Sequence, residues 1–439
     1  MIMATNETHD PSRRSFVESA NSDSDFPIQN LPFGVFRRRG SNGAARVGIA
    51  IGDQILDVAG IARLCTGAAA PAAAACASPR LNDLMALGPK ACSALRAQVS
   101  RLLSQDAAAH RATVAENLTP ATMAELLVPV EIGNFTDFFA SIFHATNAGR
   151  MFRPDNPLLP NYKYVPVAYH SRPSSVRVSG TPVLRPIGQT KTQDESAPVY
   201  RPSRHLDYEF EVGFYVGVPS QLGVPVPVAQ AGEHIFGFCL LNDWSARDIQ
   251  AWEAQPLGPF LAKNFATTVS PWVVTAEALA PFHGPAFERP QSDPAPLPHL
   301  DDPVDRREGG LDITLEAYLL TKLMREQKLT AFRLSSGTFA NIYWTVAQML
   351  AHHTSNGCNL EVGDLMGSGT VSGPGRDSWA CLLELTSRGR EPLELPSGEK
   401  RGFLEDGDEI IFRGHCEREG FARIGFGECR AIVQPAASR

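Results

Sequence analysis

The chain has 439 residues, which is enough for two or three domains at roughly 150 residues each. Hydrophobic residues make up 43% and charged residues 20%, a balance that supplies a large core and argues against wholesale disorder. The formal charge is −7 and the longest basic block is Arg37-Arg38-Arg39, so we expect no nucleic-acid partner. No apolar run approaches the roughly 18 residues of a membrane-spanning helix, so we expect no membrane segment. Eight scattered cysteines without a CxxC pair favour free thiols and a reducing, cytoplasmic location.

The first third of the chain predicts a tail followed by a small domain. Residues 1–30 are rich in Asn, Asp, Ser and Glu and predict a flexible tail. Residues 31–125 predict an N-terminal domain, in which the Ala-rich stretch Thr66–Ser78 favours a loop or weak helix. Leucine spacing over residues 80–105 predicts helix interrupted at Gly88-Pro89. Short apolar runs predict strands at Phe33–Arg37, Val47–Ile51 and Ile55–Val58.

Residues 126–439 predict a larger domain of mostly strands and loops, so the expected class is a β-rich α+β fold. The segment Pro281–Gly310 is crowded with Pro and Asp and predicts a long surface excursion. Helical periodicity spans Phe339–His353 and ends before Asn356-Gly357. Apolar or alternating runs predict strands at Leu206–Val216, Leu311–Thr321, Trp379–Leu385 and Asp408–Arg413.

Three groups of polar residues are candidates for chemistry. On a strand, Glu209 and Glu211 point to the same face, where like charges repel unless something positive lies between them. This pair is either a solvated edge or half of a metal site that needs carboxylates from elsewhere in the chain. Asp243, Arg247 and Gln250 share one face if a helix begins near Asp243, and otherwise Asp243 is a helix cap before an exposed face.

The third group is Asp137 and His144, which lie seven residues apart and on one face if the stretch is helical. Histidine is the side chain best suited to general-base work near neutral pH. The alternative for His144 is a hydrogen-bonded core residue beside Phe143.

Several longer motifs resemble the fumarylacetoacetate hydrolase (fumarylacetoacetase) family over roughly residues 31–435. NDWSARDIQ, followed by LGPF and a K-x-F triplet, is highly specific to that family. The motifs are TDF…HATN at Thr136–Asn147, MFRP at Met151–Pro154, LDYEFE at Leu206–Glu211, LNDWSARDIQAWE at Leu241–Glu253, PLGPFLAKNFATTVSPW at Pro256–Trp272, GCNLEVGDLMGSGT at Gly357–Thr370 and GFGEC at Gly425–Cys429.

The resemblance implies an N-terminal SH3-like β-barrel domain, a C-terminal roll of mixed β-sheet, and a homodimer. It implies hydrolysis of a carbon–carbon bond in 4-fumarylacetoacetate to fumarate and acetoacetate, the last step of tyrosine and phenylalanine catabolism. The substrate is then a small diketo acid.

The resemblance also implies roles for individual residues. The metal, Ca²⁺ and/or Mg²⁺, would be held by Asp137, Glu209, Glu211 and Asp243, with Lys263 and Thr267 in its surroundings. The general base would be His144, oriented by Glu384, and the polar groups around the reacting carbonyl would be Arg247, Gln250 and Lys263. Substrate contacts would come from Arg153, Tyr169, Gln250 and Thr370.

Two positions depart from the family pattern. Phe139 and Ala254 stand where tyrosines that contact substrate are usual in the family. A site that loses a hydrogen bond to its substrate loses discrimination. A related acylpyruvate or diketo acid therefore remains an alternative substrate.

Overall fold

The computed structural model describes residues 4–40 and 43–438. Across these residues the chain forms a mixed α/β fold with several sheets, in which a smaller N-terminal region packs on a larger C-terminal one. No helix in the described ranges is both long and apolar enough to cross a membrane.

The N-terminal region is built on an antiparallel sheet, five-stranded in the described residues, flanked by helices. Gly88 (φ +79°) and Pro89 set the start of the longest helix, as the predicted interruption indicated. The Ala-rich stretch contributes a helix rather than a loop. The strands, in spatial order β4-β3-β2-β1-β5, and the helices are β1 (Phe33–Arg38), β2 (Arg46–Ile51), β3 (Gln54–Asp57), α1 (Ala69–Ala75), α2 (Asn82–Met85), α3 (Pro89–Leu103), α4 (Arg111–Glu116), β4 (Leu118–Pro120) and β5 (Ala124–Leu127).

The prediction of a flexible tail is wrong for residues 4–30. This segment contains short 3₁₀ helices at Glu7–His9 and Glu18–Asn21, and its apolar residues belong to the core between the two regions. The guanidinium of Arg96, on α3, is fully enclosed and donates to Thr8 and to the carbonyls of Gln29 and Asn30. The segment that the composition predicts to be a tail therefore supplies two backbone carbonyls and one hydroxyl group as acceptors for a buried cation.

The C-terminal region contains two large sheets in the described part of the chain. The first, of mixed direction, has the path β7-β6-β22-β13-β14-β16-β8, with β17 paired to β14. Its strands are β6 (Phe135–Phe138), β7 (Ala168–His170), β8 (Val176–Val178), β13 (Phe210–Val216), β14 (Ile235–Asp243), β16 (Thr267–Val269), β17 (Val274–Thr275) and β22 (Leu365–Gly367). The second runs β21-β20-β25-β26-β9, with strands β9 (Val183–Leu184), β20 (Thr314–Leu320), β21 (Phe332–Thr338), β25 (Glu409–Cys416) and β26 (Ile424–Gln434).

Two-stranded ribbons and short helices complete this region. The ribbons are β10 (Ile187–Thr190) with β11 (Val199–Pro202), β12 (Leu206–Asp207) with β15 (Ser245–Ala246), β18 (His283–Gly284) with β19 (Gly310–Leu311), and β23 (Leu393–Glu394) with β24 (Lys400–Arg401). The helices are α5 (Ile142–Phe152), α6 (Val228–Ala231), α7 (Arg247–Glu253), α8 (Pro303–Glu308), α9 (Lys322–Glu326), α10 (Val346–Thr354) and α11 (Leu382–Leu385).

The first large sheet is buried on both faces, which fixes the relation between the two regions. Along β14, Phe238 and Leu240 belong to the C-terminal core, whereas Cys239 and Leu241 face the core shared with the N-terminal region. Alternation along a strand therefore divides the apolar residues between two cores. The polar ends of the same strands carry the residues of the candidate site.

Several local predictions need correction. Trp379–Leu385 is not a strand, because the amides of Leu382 and Leu383 are capped by the distant Asp207 carboxylate and begin α11. The helix predicted from Phe339 begins at Val346, where Thr345 and Gln348 form a capping box. The predicted strand Leu206–Val216 is interrupted between β12 and β13, which leaves Glu209 outside both strands.

Candidate active site

Three buried carboxylates meet where neighbouring strands of the first large sheet end. Asp137 lies on β6, Glu211 on β13 and Asp243 at the last residue of β14, and at least one oxygen of each lies within 4.8 Å of the others. The strand β22 passes between β6 and β13 with Gly367 at this point. A Cβ on Gly367 would stand 2.6 Å from Asp137 Oδ1 and 2.7 Å from Glu211 Oε2. The glycine therefore leaves the space in which the carboxylates converge.

Each of the three carboxylates has one oxygen that receives no hydrogen bond from the described residues. Asp137 Oδ1, Glu211 Oε1 and Asp243 Oδ1 are buried and accept no hydrogen bond there. Burial, followed by repulsion from Asp243, raises the pKa of Asp137 well above its usual value, and burial with repulsion from Asp137 does the same to Glu211. Buried carboxylates with unfilled oxygen lone pairs suit a hard divalent cation, so the donor set fits the metal that the sequence predicts.

Glu209, predicted as a fourth ligand, is occupied differently. Its Oε1 accepts from Arg247 Nη1 at 2.5 Å and its Oε2 accepts from Lys263 Nζ at 2.6 Å. Lys263 Nζ also donates to Asp243 Oδ2 at 2.7 Å. Burial alone would raise the pKa of Glu209, but Lys263 and Arg247 hold it well below its usual value. Glu209 is thus an ionised bridge between the two cations and the carboxylate cluster.

His144 and Glu384 form a buried dyad on the other side of Glu209. His144 Nδ1 lies 2.6 Å from Glu384 Oε2, and its Nε2 lies 4.0 Å from Glu209 Oε1. Burial favours protonation of Glu384, but His144 and the hydrogen bonds from Ser372 and Asn147 lower its pKa below the usual value. An ionised Glu384 holds the proton on Nδ1 and leaves Nε2 available as a base.

Asp137 and His144 do not share one helical face, as the sequence spacing had suggested. Asp137 lies near the end of strand β6, and His144 lies in the first turn of α5, whose N-cap is Ser141. Likewise Asp243 is a strand residue, and α7 begins only at Arg247. The predicted shared helical faces are therefore wrong, although a strand followed by a helix brings the same residues to one site.

Comparison with known proteins identifies the family of this chain over nearly its whole length. The description "Fumarylacetoacetate (FAA) hydrolase C-terminal" matches residues 135–434, and "Fumarylacetoacetase N-terminal" matches residues 29–129. The chain belongs to the fumarylacetoacetate hydrolase family. It is 48% identical to fumarylacetoacetase of Bos taurus over 431 residues, covering 97% of this chain and 99% of that one. It is 46% identical to fumarylacetoacetase of Homo sapiens over 429 residues, covering 96% and 99%.

A solved structure supports the fold. A putative HpcE protein from Mycobacterium smegmatis matches with a TM-score of 0.50 and 18% identity, covering 92% of this chain and 99% of that one. At this identity the likeness concerns the fold of the family and not its substrate.

The remaining predicted residues lie at different distances from the cluster. Tyr169 donates from its hydroxyl to Asp137 Oδ2 at 3.1 Å and to Asp243 Oδ2 at 2.9 Å, so in this structure it bridges carboxylates. Thr267 is buried on β16 opposite Asp243. Thr370 is buried with an unpartnered Oγ1, one residue after Gly369, whose amide donates to Glu211.

Two predicted substrate residues make no contact with the carboxylates in the described structure. Gln250 is half-buried on α7, and its Oε1 accepts from Arg247 Nη1 at 3.2 Å. Arg153 is exposed at the C-terminal end of α5, with Nη2 3.5 Å from the carbonyl of Pro157. Their predicted roles concern a bound substrate.

Sequence reasoning did not find four residues that support the site. Asp207 accepts from Arg247 Nε at 2.9 Å, and Cys381 Sγ lies 3.1 Å from Glu384 Oε2. Ser372 and Asn147 donate to the two oxygens of Glu384 at 2.6 and 2.8 Å. Asp207 stands inside the LDYEFE motif and Asn147 inside the HATN motif, so both had a signal in the sequence, whereas none of the family motifs contains Ser372 or Cys381.

Proposed function

We propose that this protein hydrolyses 4-fumarylacetoacetate to fumarate and acetoacetate, the last step of tyrosine and phenylalanine catabolism. Its relatives named fumarylacetoacetase match it over nearly their full length. The observation that carries the proposal for the site is the position of Glu209. This carboxylate lies beside His144 of the dyad and pairs with Arg247 and Lys263, and Lys263 pairs in turn with Asp243 of the carboxylate cluster.

The carboxylates Asp137, Glu211 and Asp243 would hold a divalent cation, with Glu209 adjacent. We propose Ca²⁺ or Mg²⁺, because the unfilled donors are carboxylate oxygens only. When bound, such a cation polarises a carbonyl group and stabilises negative charge on its oxygen. Lys263 would lie beside the ion without ligating it, because an ammonium group has no lone pair to donate. Thr267 would also lie in its surroundings.

The chain's own residues supply proton transfer and charge stabilisation. His144 Nε2 takes a proton from a water molecule while Glu384 stabilises the imidazolium through Nδ1. The hydroxide oxygen bonds to the carbonyl carbon, and Arg247, Gln250 and Lys263 donate to the resulting oxyanion; removing one such donor typically costs about 3–4 kcal/mol. The carbon–carbon bond then breaks, its electron pair leaves with the acetoacetate fragment, and we assign the proton donor for that carbon to Lys263.

Four side chains are the candidates for contacts with the substrate. We propose that Arg153 and Thr370, together with Gln250, contact the diketo acid, and that Tyr169 contacts it beside the carboxylates. The unpartnered Oγ1 of buried Thr370 supports this assignment, because buried hydroxyl groups are generally hydrogen-bonded.

The test is a parallel assay of the purified full-length protein on fumarylacetoacetate and on an acylpyruvate, following the loss of diketone absorbance. We expect faster turnover of fumarylacetoacetate. We expect His144→Asn to lower kcat by about 10²–10⁴-fold, since it removes the base, and to leave cation binding by calorimetry unchanged. Unchanged turnover in His144→Asn would remove this residue from the mechanism.

Acylpyruvates are a second candidate substrate class, because Phe139 and Ala254 lack the hydroxyl groups that the family's tyrosines offer. The ring of Phe139 packs edge-on against the His144 imidazole, with centroids 5.2 Å apart, and has no hydroxyl to offer a substrate. Ala254, the C-cap residue of α7, likewise has no hydroxyl group to offer. If the acylpyruvate is the better substrate, Phe139→Tyr and Ala254→Tyr should shift the preference toward fumarylacetoacetate.

The family resemblance also suggests a domain architecture and an oligomeric state for this chain, and its cysteines favour a cellular location. We propose that the N-terminal sheet closes as an SH3-like barrel, that the C-terminal sheets form the family's roll, and that the domains divide near residue 125. We propose a homodimer, which the exposed apolar side chains of Leu257, Phe260 and Leu261 support by offering surface to bury. We also propose a cytoplasmic location, supported by eight free thiols.

A further inference from the structure

Cys381, His144 and Glu384 form a second cluster of side chains that can ligate a metal. The proposed reaction uses His144 and Glu384 for proton transfer and gives Cys381 no role. Cys381 Sγ lies 3.1 Å from Glu384 Oε2 and 3.9 Å from His144 Nδ1, and the dyad atoms are 2.6 Å apart. All three side chains are buried. One thiol, one imidazole and one carboxylate thus present their ligand atoms within 4.8 Å of one another.

The donor types select a different ion from the one suited to the carboxylate cluster. Sulfur and imidazole nitrogen, with one carboxylate oxygen, are the ligands of Zn²⁺, whereas Ca²⁺ and Mg²⁺ prefer oxygen alone. With Zn²⁺ bond lengths of about 2.0–2.3 Å, tetrahedral ligand atoms lie roughly 3.3–3.6 Å apart. The separations of 3.1 and 3.9 Å lie within about 0.3 Å of that range, whereas His144 Nδ1 and Glu384 Oε2, at 2.6 Å, must move apart by about 0.7 Å to admit the ion.

The surrounding structure holds these ligands on separate, fixed elements. Cys381 is the N-cap residue of α11 and Glu384 lies within it, while His144 lies on α5. The amides at the start of α11 are bound by Asp207. Ser372 Oγ donates to Glu384 Oε2 at 2.6 Å and holds that carboxylate in place.

We propose that Cys381, His144 and Glu384 form an inhibitory Zn²⁺ site, distinct from the carboxylate cluster. Binding forms Zn–S, Zn–N and Zn–O bonds and releases the thiol proton, while the imidazole stays neutral and its proton moves from Nδ1 to Nε2, with no change in oxidation state. It replaces the Nδ1–H···Oε2 hydrogen bond that orients the imidazole, so the base is lost. The inhibition rests on the proposed function, but the binding does not.

The test uses Co²⁺ as an optical probe for Zn²⁺, because thiolate ligation of Co²⁺ gives an intense near-ultraviolet charge-transfer band that oxygen and nitrogen ligands do not. The full-length protein is kept in excess Mg²⁺, which fills the carboxylate cluster, and is titrated with Co²⁺. We expect the band to saturate at one Co²⁺ per chain and to be displaced by Zn²⁺. Cys381→Ser and Cys381→Ala should lack it, whereas Cys358→Ser, which removes a half-buried thiol outside the cluster, should keep it.

The activity measurement compares each variant with its own zinc-free rate. We expect Zn²⁺ to inhibit the wild type at a concentration at least roughly tenfold lower than it inhibits Cys381→Ser. A wild-type spectrum without the band, or a band that persists in both Cys381 variants, would overturn the inference. Because the titration needs no turnover, a band without fumarylacetoacetate hydrolysis refutes the proposed function alone, and hydrolysis without a band refutes this inference alone.

Discussion

Gly367 shows how a single residue determines whether carboxylates can converge. A methyl group at this position would stand 2.6–2.7 Å from oxygens of Asp137 and Glu211, closer than van der Waals contact allows. The atoms that must yield are the ends of side chains, so the backbone can keep its fold while the carboxylates move apart. The absence of a side chain is therefore part of the candidate metal site.

The corresponding prediction is that Gly367→Ala folds but binds Ca²⁺ or Mg²⁺ more weakly. We expect at least a roughly tenfold loss of affinity by calorimetry, comparable to the loss of groups that orient ligands, and a parallel loss of turnover. Gly337→Ala, on β21, is the matched control, because its Cβ would lie 3.4 Å from Ser378 Cβ, at ordinary contact distance. Equal affinities in the two variants would show that Gly367 does not shape the site.

A second residue-scale prediction concerns Asp305, which is buried between α8 and α10. Its oxygens accept from Thr345 Oγ1 at 3.0 and 2.8 Å. Burial raises the pKa of Asp305 to about 6 from the usual 3.8, although Thr345 opposes the shift. The folded state therefore binds more protons than the unfolded state between these values. The stability from this group is complete below about pH 4 and is lost as the pH rises through about 6.

We expect Asp305→Asn to become more stable relative to the wild type by about 2–3 kcal/mol as the pH rises from about 4 to about 7. Asparagine keeps an acceptor for Thr345 but has no charge to bury. Thermal midpoints across this range measure the difference, and Asp83→Asn, at an exposed carboxylate, is the control. A difference that does not vary with pH would contradict the assignment.

At the scale of elements, the Asp207 carboxylate connects two parts of the site. It accepts from Arg247 Nε on α7 and from the amides of Leu382 and Leu383 at the start of α11, which carries Glu384. One side chain thus positions both a candidate oxyanion donor and the carboxylate that orients His144. Asp207 acts through these residues and is a positioning residue.

We expect Asp207→Asn to lower kcat by about 10²-fold or more, as when one oxyanion donor is lost, with a smaller change in KM. The amide cannot accept from the Arg247 guanidinium at its nitrogen and also cap both backbone groups. Asp248→Asn is the control, since Asp248 lies on the same helix but bonds to Ser203 and Arg204 instead. If both variants lose only thermal stability, with kcat unchanged, Asp207 has a purely structural role.

The same elements show what the sequence can and cannot predict. The motifs pointed to Asp137, Glu211 and Asp243, because a motif is recognised by the order of its residues and does not depend on the predicted secondary structure. The break between β12 and β13 was missed because the alternation over Leu206–Val212 continues across it, whereas the bonds from Asp207 to distant amides leave no local signal. The strand predicted at Trp379–Leu385 failed for the same reason. Local periodicity carries no information about a cap supplied from 175 residues away.

At the scale of the whole molecule, residues 4–30 join the two regions through a buried polar network. Glu277, after β17, accepts from Asn6 Nδ2 at 2.7 Å and from Ser93 on α3 at 2.9 Å. On the same helix, Arg96 binds the segment at Thr8 and at the carbonyls of Gln29 and Asn30. Burial lowers the pKa of Arg96 to about 10, and the nearby Glu277 carboxylate opposes this shift, so the guanidinium remains charged at neutral pH.

The network predicts that Arg96→Ala is strongly destabilising although it lies outside the site. The substitution leaves a hydroxyl and two carbonyls without their donor, and each buried group that loses its partner costs about 1–3 kcal/mol. Arg101→Ala is the control on the same helix, because its ion pair with Glu7 is long, at 3.6 Å, and both side chains are 56% exposed. We expect a fall of several degrees in the thermal midpoint and faster proteolysis of residues 4–30 only in Arg96→Ala. Equal midpoints would mean that the segment packs by its apolar residues alone, and that the buried cation adds no stability to the junction between the two regions.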